Sequence, residues 1–173
     1  MINYKEKLAP VKAFVFDFDG VLTDGSVWTL ADGDMIRAAN TKDGFALQYA
    51  VKKGYIIAVI SGGRSKSIDN RMAALGVTQV YTGCGDKIKT YEEFLRTNNL
   101  VDEQVLCMGD DIPDYPMLKR AGVSACPADA AVEIRDMVDY ISLYNGGRGA
   151  VRDVIEQVMR LHGQWFHPDA VIW

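Results

Sequence analysis

Short apolar runs alternate with segments of helical periodicity along most of the chain. The apolar runs are rich in β-branched and aromatic residues, which is typical of strands buried on both faces of a sheet. The six predicted strands cover residues 11–17, 55–61, 79–82, 104–109, 123–126 and 138–142. The six predicted helices cover residues 44–53, 66–75, 87–97, 115–121, 131–136 and 149–161. This alternation predicts an α/β fold with a Rossmann-like, doubly wound, mostly parallel sheet and helices on both faces.

One segment departs from this rhythm. Extended runs at residues 26–30 and 35–39 flank Ala31-Asp32-Gly33-Asp34, and Asp-Gly is a hairpin turn signal. We therefore predict a β-hairpin, here called the flap, over residues 25–40. The flap leaves the sheet directly after the first strand, beside the carboxyl ends where α/β folds bind ligands. Its position predicts a role at the active site.

The size and composition of the chain narrow the classes of function. Its 173 residues, 49% hydrophobic and 24% charged, predict one globular domain over residues 1–173. The net charge of -4 gives no general attraction to nucleic acid or to anionic membranes, so neither is an expected partner. No apolar run is long enough to span a bilayer and no signal-peptide pattern is present, so a cytoplasmic location is expected. The three cysteines show no spacing for metal binding or redox chemistry.

Two carboxylates, Asp17 and Asp19, lie at the end of the first predicted strand. Alternation along a strand would place both side chains on one face. Two like charges so close repel each other, and the arrangement is tolerable if a cation lies between or beside them. An acidic turn with solvated aspartates is the alternative interpretation of this motif taken alone.

A second acidic cluster, formed by Asp110, Asp111 and Asp114, follows the predicted strand 104–109. If this strand neighbours the first one, the two clusters meet, and their oxygens would suit Mg²⁺. Nothing in the pattern indicates zinc. Taken alone, the cluster could also be a turn and a helix N-cap, because aspartate is favoured at both.

Two further motifs could bind phosphate. Ser61 offers a hydroxyl, Gly62 exposes a backbone N–H group, and Lys87 adds a positive charge at the start of a helix. Each is weak evidence alone, since Ser-Gly-Gly is most often a loop and a lone lysine is usually solvated. All four motifs, however, fall at successive strand ends of one parallel sheet, and this order favours phosphate chemistry.

In this order the four motifs resemble those of the haloacid dehalogenase superfamily of phosphatases, and the resemblance covers nearly the whole chain. It implies that Asp17 is the nucleophile that forms an aspartyl-phosphate. Asp19 would protonate the leaving oxygen and afterwards activate water. The remaining implied roles are Mg²⁺ binding by Asp17, the main-chain carbonyl of Asp19 and Asp110 with Asp111 close by, orientation of Lys87 by Asp114, and stabilisation of the phosphoryl charge by Ser61, the Gly62 N–H and Lys87.

Neither usual insertion point has room for a cap domain, so the chain is similar to the capless subclass of sugar-acid phosphatases. The pair Asp43-Gly44 and the glycine-rich residues 146–152 support this similarity. It implies a homotetramer that hydrolyses 3-deoxy-D-manno-octulosonate 8-phosphate, an eight-carbon sugar acid phosphate of lipopolysaccharide synthesis. The alternative substrate is a nine-carbon deoxy-nonulosonate 9-phosphate, either KDN-9-phosphate or acylneuraminate 9-phosphate.

Three cations are candidates for binding the sugar acid. Lys42 stands where that subclass often places an arginine facing the substrate, and a lysine keeps the charge but loses the bidentate fork. Arg64 and Lys66 follow Ser61 and could bind the carboxylate of the sugar acid. A solvated basic loop is the alternative interpretation of these two residues.

The C-terminal tail, residues 163–173, is unusually apolar and contains Trp165, Phe166 and Trp173. Large aromatic side chains are unfavourable in water. We therefore predict that the tail packs on an adjacent subunit and, like the flap, helps to close its active site. Docking of the tail on the sheet of its own chain is the alternative.

Three other classes of protein fit part of the pattern. A signalling receiver domain also combines an α/β fold with an acidic magnesium site, but its phosphoacceptor normally lies on a later strand and it needs no counterpart of Asp19. An inactive scaffold that binds partners would have been free to lose catalytic residues, and the set is intact. A phosphomutase would need a cap to retain and reorient its intermediate.

Overall fold

A six-stranded sheet forms the centre of the computed structural model, which describes residues 3–33 and 35–171. In chain order the strands are β1 Ala13–Phe16, β2 Trp28–Thr29, β3 Met35–Ile36, β4 Ile56–Ile60, β5 Gln79–Tyr81, β6 Val105–Met108, β7 Val123–Cys126 and β8 Tyr140–Ile141. The sheet has the order β5-β4-β1-β6-β7-β8, and all its pairings are parallel. Strand β1 therefore lies inside the sheet, with β4 and β6 as its two neighbours.

Helices cover both faces of this sheet. They are α1 Tyr4–Lys7, α2 Thr41–Lys52, α3 Lys66–Ala74, α4 Lys87–Asn98, α5 Tyr115–Arg120, α6 Val132–Arg135 and α7 Ala150–Leu161. Short 3-10 turns occur at Asp102–Gln104, Ile112–Asp114 and Pro168–Val171. One apolar cluster packs α2, α3 and α7 on one face, and a second packs α4, α5 and α6 on the other. Across the described residues, no helix has both the length and the apolar character that crossing a membrane requires.

Strand β1 shows why the chain folds in this way. All four of its residues are buried, and they alternate between the two clusters. Phe14 and Phe16 point to the α2, α3 and α7 side, whereas Ala13 and Val15 point to the other side. A central parallel strand must be apolar on both faces, because helices cover both. The predicted doubly wound sheet is confirmed.

The predicted elements are all present, with ends that differ by a few residues. The predicted strand at 138–142 shortens to Tyr140–Ile141, and the helix predicted at 44–53 begins earlier, at Thr41. Asn40 explains the earlier start, because its side chain accepts hydrogen bonds from two backbone N–H groups of the first turn. Helix α1 was not predicted, since four residues are too few for a helical period to be visible.

The flap is a two-stranded antiparallel hairpin, as predicted. Strands β2 and β3 pair through only two residue pairs, Trp28 with Ile36 and Thr29 with Met35. Asp34 of the predicted turn lies outside the described residues. Trp28 is 71% exposed and Ile36 is 50% exposed, so the flap presents apolar side chains to solvent. Between β1 and α2 the described residues form this flap and no cap domain.

Asp43 joins helix α2 to the start of α7. Its buried carboxylate accepts hydrogen bonds from the backbone N–H groups of Gly149 at 3.1 Å and Arg152 at 2.8 Å. These donors belong to the first turn of α7, whose N–H groups have no partners within the helix. Hydrogen bonds from Asp43 therefore connect two separate sequence features, the Asp43-Gly44 pair and residues 146–152.

The tail packs on its own chain. The Trp165 ring lies edge-on to Phe45 and Tyr49 of α2, with ring centroids 6.1 and 5.7 Å apart. The Trp165 ring therefore packs on helices of its own chain, and packing of the tail on an adjacent subunit stays a prediction. Phe166 remains 80% exposed. Residues 172–173, including the third aromatic side chain of the tail, lie outside the described residues.

Candidate active site

The predicted catalytic motifs meet at the carboxyl edge of the sheet. Asp17 follows β1, Ser61 follows β4, and Asp110 comes two residues after the end of β6. The backbone ladder continues into these positions, since the Asp17 N–H donates to the Met108 carbonyl at 3.0 Å. The ends of three neighbouring strands therefore fix where these side chains begin, and Lys87 starts α4 beside them.

Lys87 lies between two carboxylates. Its Nζ atom is 2.8 Å from Asp17 Oδ1 and 2.6 Å from Asp114 Oδ1, and all three residues are buried. Burial alone would lower the pKa of Lys87, but the charges and hydrogen bonds of Asp17 and Asp114 outweigh it and raise this pKa. Lys87 is therefore a fixed positive charge beside Asp17.

Asp114 connects this lysine to the second acidic loop. Its Oδ2 atom accepts hydrogen bonds from the backbone N–H groups of Asp110 at 3.0 Å and Asp111 at 3.4 Å. Its other oxygen binds Lys87, so both oxygens of this buried carboxylate are occupied. Asp114 thereby holds the loop that carries Asp110 at a set distance from Lys87.

Three carboxylates come together at this edge. One oxygen each of Asp17, Asp110 and Asp114 lies within 4.8 Å of the others. Burial raises the pKa of Asp17 to about 6, with the Asp114 charge adding to the rise and Lys87 opposing it. Burial, followed by repulsion from Asp17, raises the pKa of Asp110 to about 8. Asp110 Oδ1 is buried without a hydrogen-bond partner.

These features fit a bound divalent cation. A cation would satisfy the orphaned oxygen of Asp110 and offset the repulsion between the carboxylates. The donors are all oxygen atoms, which is the ligand type that Mg²⁺ prefers. Asp17 and Asp110 are the carboxylates placed to hold it, because Asp114 is already occupied by Lys87 and by backbone N–H groups.

Gly20 allows the loop after β1 to reach this cluster. Its backbone has a φ of +89°, which side chains other than glycine rarely adopt. A Cβ atom at this position would lie 2.1 Å from Asp110 Oδ2, which is far inside van der Waals contact. The loop that carries Asp17 and Asp19 can approach Asp110 only because residue 20 has no side chain.

Asp19 has a partner that the sequence pattern does not indicate. Arg37, which follows β3 in the flap, donates from Nε to Asp19 Oδ1 at 2.6 Å and from Nη2 to Asp19 Oδ2 at 3.0 Å. The Arg37 side chain is only 4% exposed, whereas that of Asp19 is 29% exposed. An isolated arginine in a predicted β-strand gives no signal of such a contact, so the sequence offered no means of finding it.

The Ser61 loop lies against the same aspartate. Ser61 is buried, and its Oγ atom accepts a hydrogen bond from the Gly63 N–H at 3.2 Å. A Cβ atom on Gly63 would lie 3.2 Å from Asp19 Oδ2 and 3.5 Å from Ser61 Oγ. Ser61 and Asp19 therefore border the same small space, while phosphate binding by Ser61 and Gly62 remains a prediction.

The other predicted site residues lie further out. Asp111 is exposed, and its carboxylate accepts a hydrogen bond from the Ile112 N–H at 2.8 Å, so it caps a 3-10 turn and lies outside the three-carboxylate group. Lys42 is exposed and lines a cavity of about 380 Å³ together with Asp24 and Arg148. Binding of a sugar acid by Lys42 remains a prediction.

Arg64 and Lys66 are also exposed. The Arg64 side chain lies along Gly83, where an added Cβ atom would come within 2.0 Å of its Nε atom. Lys66 begins helix α3. Among the contacts of the described residues, none joins either side chain to Asp17 or Asp19, so their binding of a sugar acid remains a prediction.

Comparison with known proteins finds similarity to a family of hydrolases and to phosphatases. The family model for haloacid dehalogenase-like hydrolases matches residues 76–155, which include Lys87 and the second acidic loop. The 3-deoxy-D-manno-octulosonate 8-phosphate phosphatase KdsC of Yersinia pestis is 33% identical over 154 residues, which are 89% of this chain and 82% of that protein.

Two solved structures resemble the fold closely. One is the corresponding phosphatase of Moraxella catarrhalis in complex with a magnesium ion, a phosphate ion and KDO (TM-score 0.88, 30% identity, 91% of this chain and 90% of that chain). The other is the cobalt-bound phosphatase of Haemophilus influenzae (TM-score 0.90, 28% identity, 96% of this chain and 99% of that chain). The matches therefore extend over nearly the whole described chain.

Proposed function

The chain belongs to the haloacid dehalogenase-like hydrolases, and from this premise we propose that it is a magnesium-dependent phosphatase of 3-deoxy-D-manno-octulosonate 8-phosphate. One observation carries the proposal: Asp17, Lys87 and Asp110 meet at one sheet edge in a chain similar over 89% of its length to a phosphatase of that substrate. The relative from Moraxella catarrhalis, with magnesium, phosphate and KDO bound, supports both the cofactor and the sugar acid.

The reaction divides between Asp17 and Asp19. A carboxylate oxygen of Asp17 attacks phosphorus, the bond from phosphorus to the sugar oxygen breaks, and an aspartyl-phosphate forms. Asp19 gives a proton to the departing sugar oxygen. It then takes a proton from the water that attacks phosphorus, which releases phosphate and restores Asp17.

The surrounding groups stabilise charge. Asp17, Asp110 and the main-chain carbonyl of Asp19 would hold Mg²⁺, with Asp111 close by, directly or through water. When bound, Mg²⁺ supplies positive charge beside the transferring phosphoryl group. Lys87, the Ser61 hydroxyl and the Gly62 N–H supply donors to its equatorial oxygens. Asp114 keeps Lys87 in place through the 2.6 Å contact.

The oligomer in this proposal is a homotetramer. The site has no cap of its own within the described residues, and a site of this kind needs a cover to exclude water. The exposed Trp28 and Ile36 of the flap, and Phe166 of the tail, are apolar surface that a neighbouring subunit would bury. We assign the flap and the exposed part of the tail to neighbouring active sites on this basis.

The nine-carbon sugar acid phosphates remain the alternative substrates. Lys42, Arg64 and Lys66 are exposed cations that could bind a sugar acid of either length. A receiver domain is a weaker alternative, because the family comparison and the position of Asp17 on the first sheet strand both favour a hydrolase.

The test is phosphate release with Mg²⁺ from a panel of the eight-carbon 8-phosphate, the nine-carbon 9-phosphates, hexose phosphates and nucleotides. We expect the eight-carbon acid to be preferred by about a hundredfold, which corresponds to roughly 2.7 kcal/mol of transition-state discrimination. Preference for a nine-carbon acid would move the chain to the alternative activity. The Asp17→Asn protein is the matched control for contaminating phosphatases, and undiminished release by it would refute the mechanism.

A further inference from the structure

The contact between Arg37 and Asp19 joins the flap to the loop after β1. The guanidinium uses Nε and Nη2 for the two oxygens of Asp19, and its Nη1 atom donates to the Met35 carbonyl of β3 at 3.4 Å. A planar guanidinium that binds both oxygens of a carboxylate fixes its rotation as well as its position. The orientation of the Asp19 carboxylate therefore depends on where the flap lies.

Gly63, in the loop after β4, leaves room for the pair of Arg37 and Asp19. A Cβ atom on Gly63 would lie 3.2 Å from Arg37 Nη2 and 3.2 Å from Asp19 Oδ2. These distances are tighter than most real Cβ contacts, so a side chain at residue 63 would press on both partners. The pair thus lies between the flap and the Ser61 loop, at the border of the space where Ser61 and Asp19 face each other.

We propose that Arg37 is a positioning residue that couples the flap to the acid–base function of Asp19. This inference rests on the proposed phosphatase function and adds a residue that acts through another one. When the flap is seated, Arg37 occupies one lone pair on each oxygen of Asp19, and a second lone pair carries the proton that passes to the leaving oxygen. Loss of the fork lets Asp19 rotate, so proton transfer is impaired while attack by Asp17 is not.

Leaving groups of different basicity separate these two effects. An alkoxide is strongly basic and needs the proton of a general acid when it departs, whereas p-nitrophenolate departs without one. The ratio kcat/KM reports the steps up to the first irreversible one, here the departure of the leaving group. Glycerol phosphate and p-nitrophenyl phosphate both lack a carboxylate, so recognition of a sugar acid does not enter the comparison.

The experiment measures kcat/KM of the full-length protein with Mg²⁺ for both substrates. We expect Arg37→Met to lower the value for glycerol phosphate by at least about tenfold and that for p-nitrophenyl phosphate by less than about threefold. Asp19→Asn should show the same selectivity with a larger loss. Because the two residues act as a unit, the double variant should be no worse than Asp19→Asn.

Two further variants keep the test decisive if Arg37→Met folds poorly. Arg37→Lys retains the positive charge without the bidentate contact and should give an intermediate loss for glycerol phosphate. Gly63→Ala should give the same selective loss by crowding Arg37 and Asp19.

Arg96→Met is the matched control, since Arg96 is an exposed arginine of α4 with a side chain 77% exposed. Equal losses for both substrates, or no loss for either, would overturn the proposal. A missing preference for sugar acids would instead count against the proposed function.

Discussion

The site residues at the carboxyl ends of the strands, here called the edge, and the residues of the flap differ in burial and in the contacts that hold them. At the edge, Asp17, Lys87 and Asp114 are at most 8% exposed, and each is held by strand ends or by another buried charge. In the flap, Trp28 is 71% exposed and two short strands share two residue pairs. A two-stranded hairpin of this size is marginal without further packing. The residues of the site are therefore held by contacts within the chain, whereas the flap has few contacts to hold it in place.

Substitution of Asp17 should have the largest effect on phosphate release. Asp17→Asn removes the nucleophile but keeps the shape, so we expect phosphate release to fall by at least about 10⁴-fold, as for loss of other covalent nucleophiles. Lys87 and Asp114 keep each other as partners, so the protein should remain folded. Steady-state phosphate release and circular dichroism check both parts. Residual turnover within tenfold of the parent protein would mean that another group attacks phosphorus.

Removal of metal should have the next largest effect. Activity should fall steeply with a chelator and return with Mg²⁺, because the transferring phosphoryl group then lacks the positive charge of the cation. Protons compete with the cation, because the pKa of Asp17 is raised to about 6 and that of Asp110 to about 8. Because folding raises these two pKa values, protonation of the carboxyls stabilises the metal-free protein against unfolding at low pH. This stabilisation is lost as the pH rises through the two pKa values.

The stabilisation that Mg²⁺ adds should therefore grow with pH. At a hundredfold excess over its dissociation constant, a ligand adds about 2.7 kcal/mol to the free energy of unfolding. At one fixed Mg²⁺ concentration, we expect the shift in melting temperature to be larger at roughly pH 9 than at about pH 6. Thermal unfolding with and without the metal measures this. A shift that shrinks as the pH rises would contradict the carboxylate site.

Asp114→Asn tests the internal support of the edge. The change removes a buried charge that binds Lys87 and receives two backbone N–H groups. We expect a loss of roughly 3 kcal/mol in unfolding free energy, typical of a broken buried ion pair, and about a hundredfold loss of kcat. Denaturant unfolding and steady-state kinetics measure the two. The exposed pair of Lys89 and Asp86 is the control, and Asp86→Asn should change stability by less than about 0.5 kcal/mol.

The smallest effect on chemistry should come from the flap. Replacing Trp28 and Ile36 with serine removes exposed apolar surface, so the oligomer should dissociate and kcat/KM for the sugar acid should fall by about tenfold. The value for p-nitrophenyl phosphate should change by less than about threefold, because the edge is untouched. Light scattering with kinetics measures both. Leu161→Ser, another exposed apolar position at 52%, is the control, and an unchanged oligomer would refute the role of the flap.

The same contrast explains what the sequence could predict. Buried parallel strands produce continuous apolar runs, and the groups that follow them must share one edge, so the positions of Asp17, Ser61 and Asp110 followed from the pattern. The flap was predicted as a hairpin from its turn signal. Its direction relative to the sheet was not predicted, because two residue pairs that are mostly exposed carry no pattern that fixes an angle. Arg37 was missed for this reason.

Long side chains on loops were the hardest to place. Lys42 lines the cavity shared with Asp24 and Arg148, and its contact with the substrate stays a prediction. The Asp111 carboxylate caps a turn, and its place close to the metal, directly or through water, stays a prediction. Aspartate is favoured at caps as well as at metals, so the type of residue could not distinguish the two. The position of a loop side chain follows from local backbone geometry that periodicity does not report.

The place of β1 between β4 and β6 has a consequence for the order of synthesis. Its partner β6 lies about ninety positions later in the chain, and at 5–20 residues per second the ribosome needs on the order of ten seconds to add them. During this interval β1 can pair with β4 alone, and Asp17 has no Asp110 beside it. The acidic group thus forms only after β6 has been added to a nascent chain, and a chain interrupted before residue 105 carries a nucleophile without its metal site.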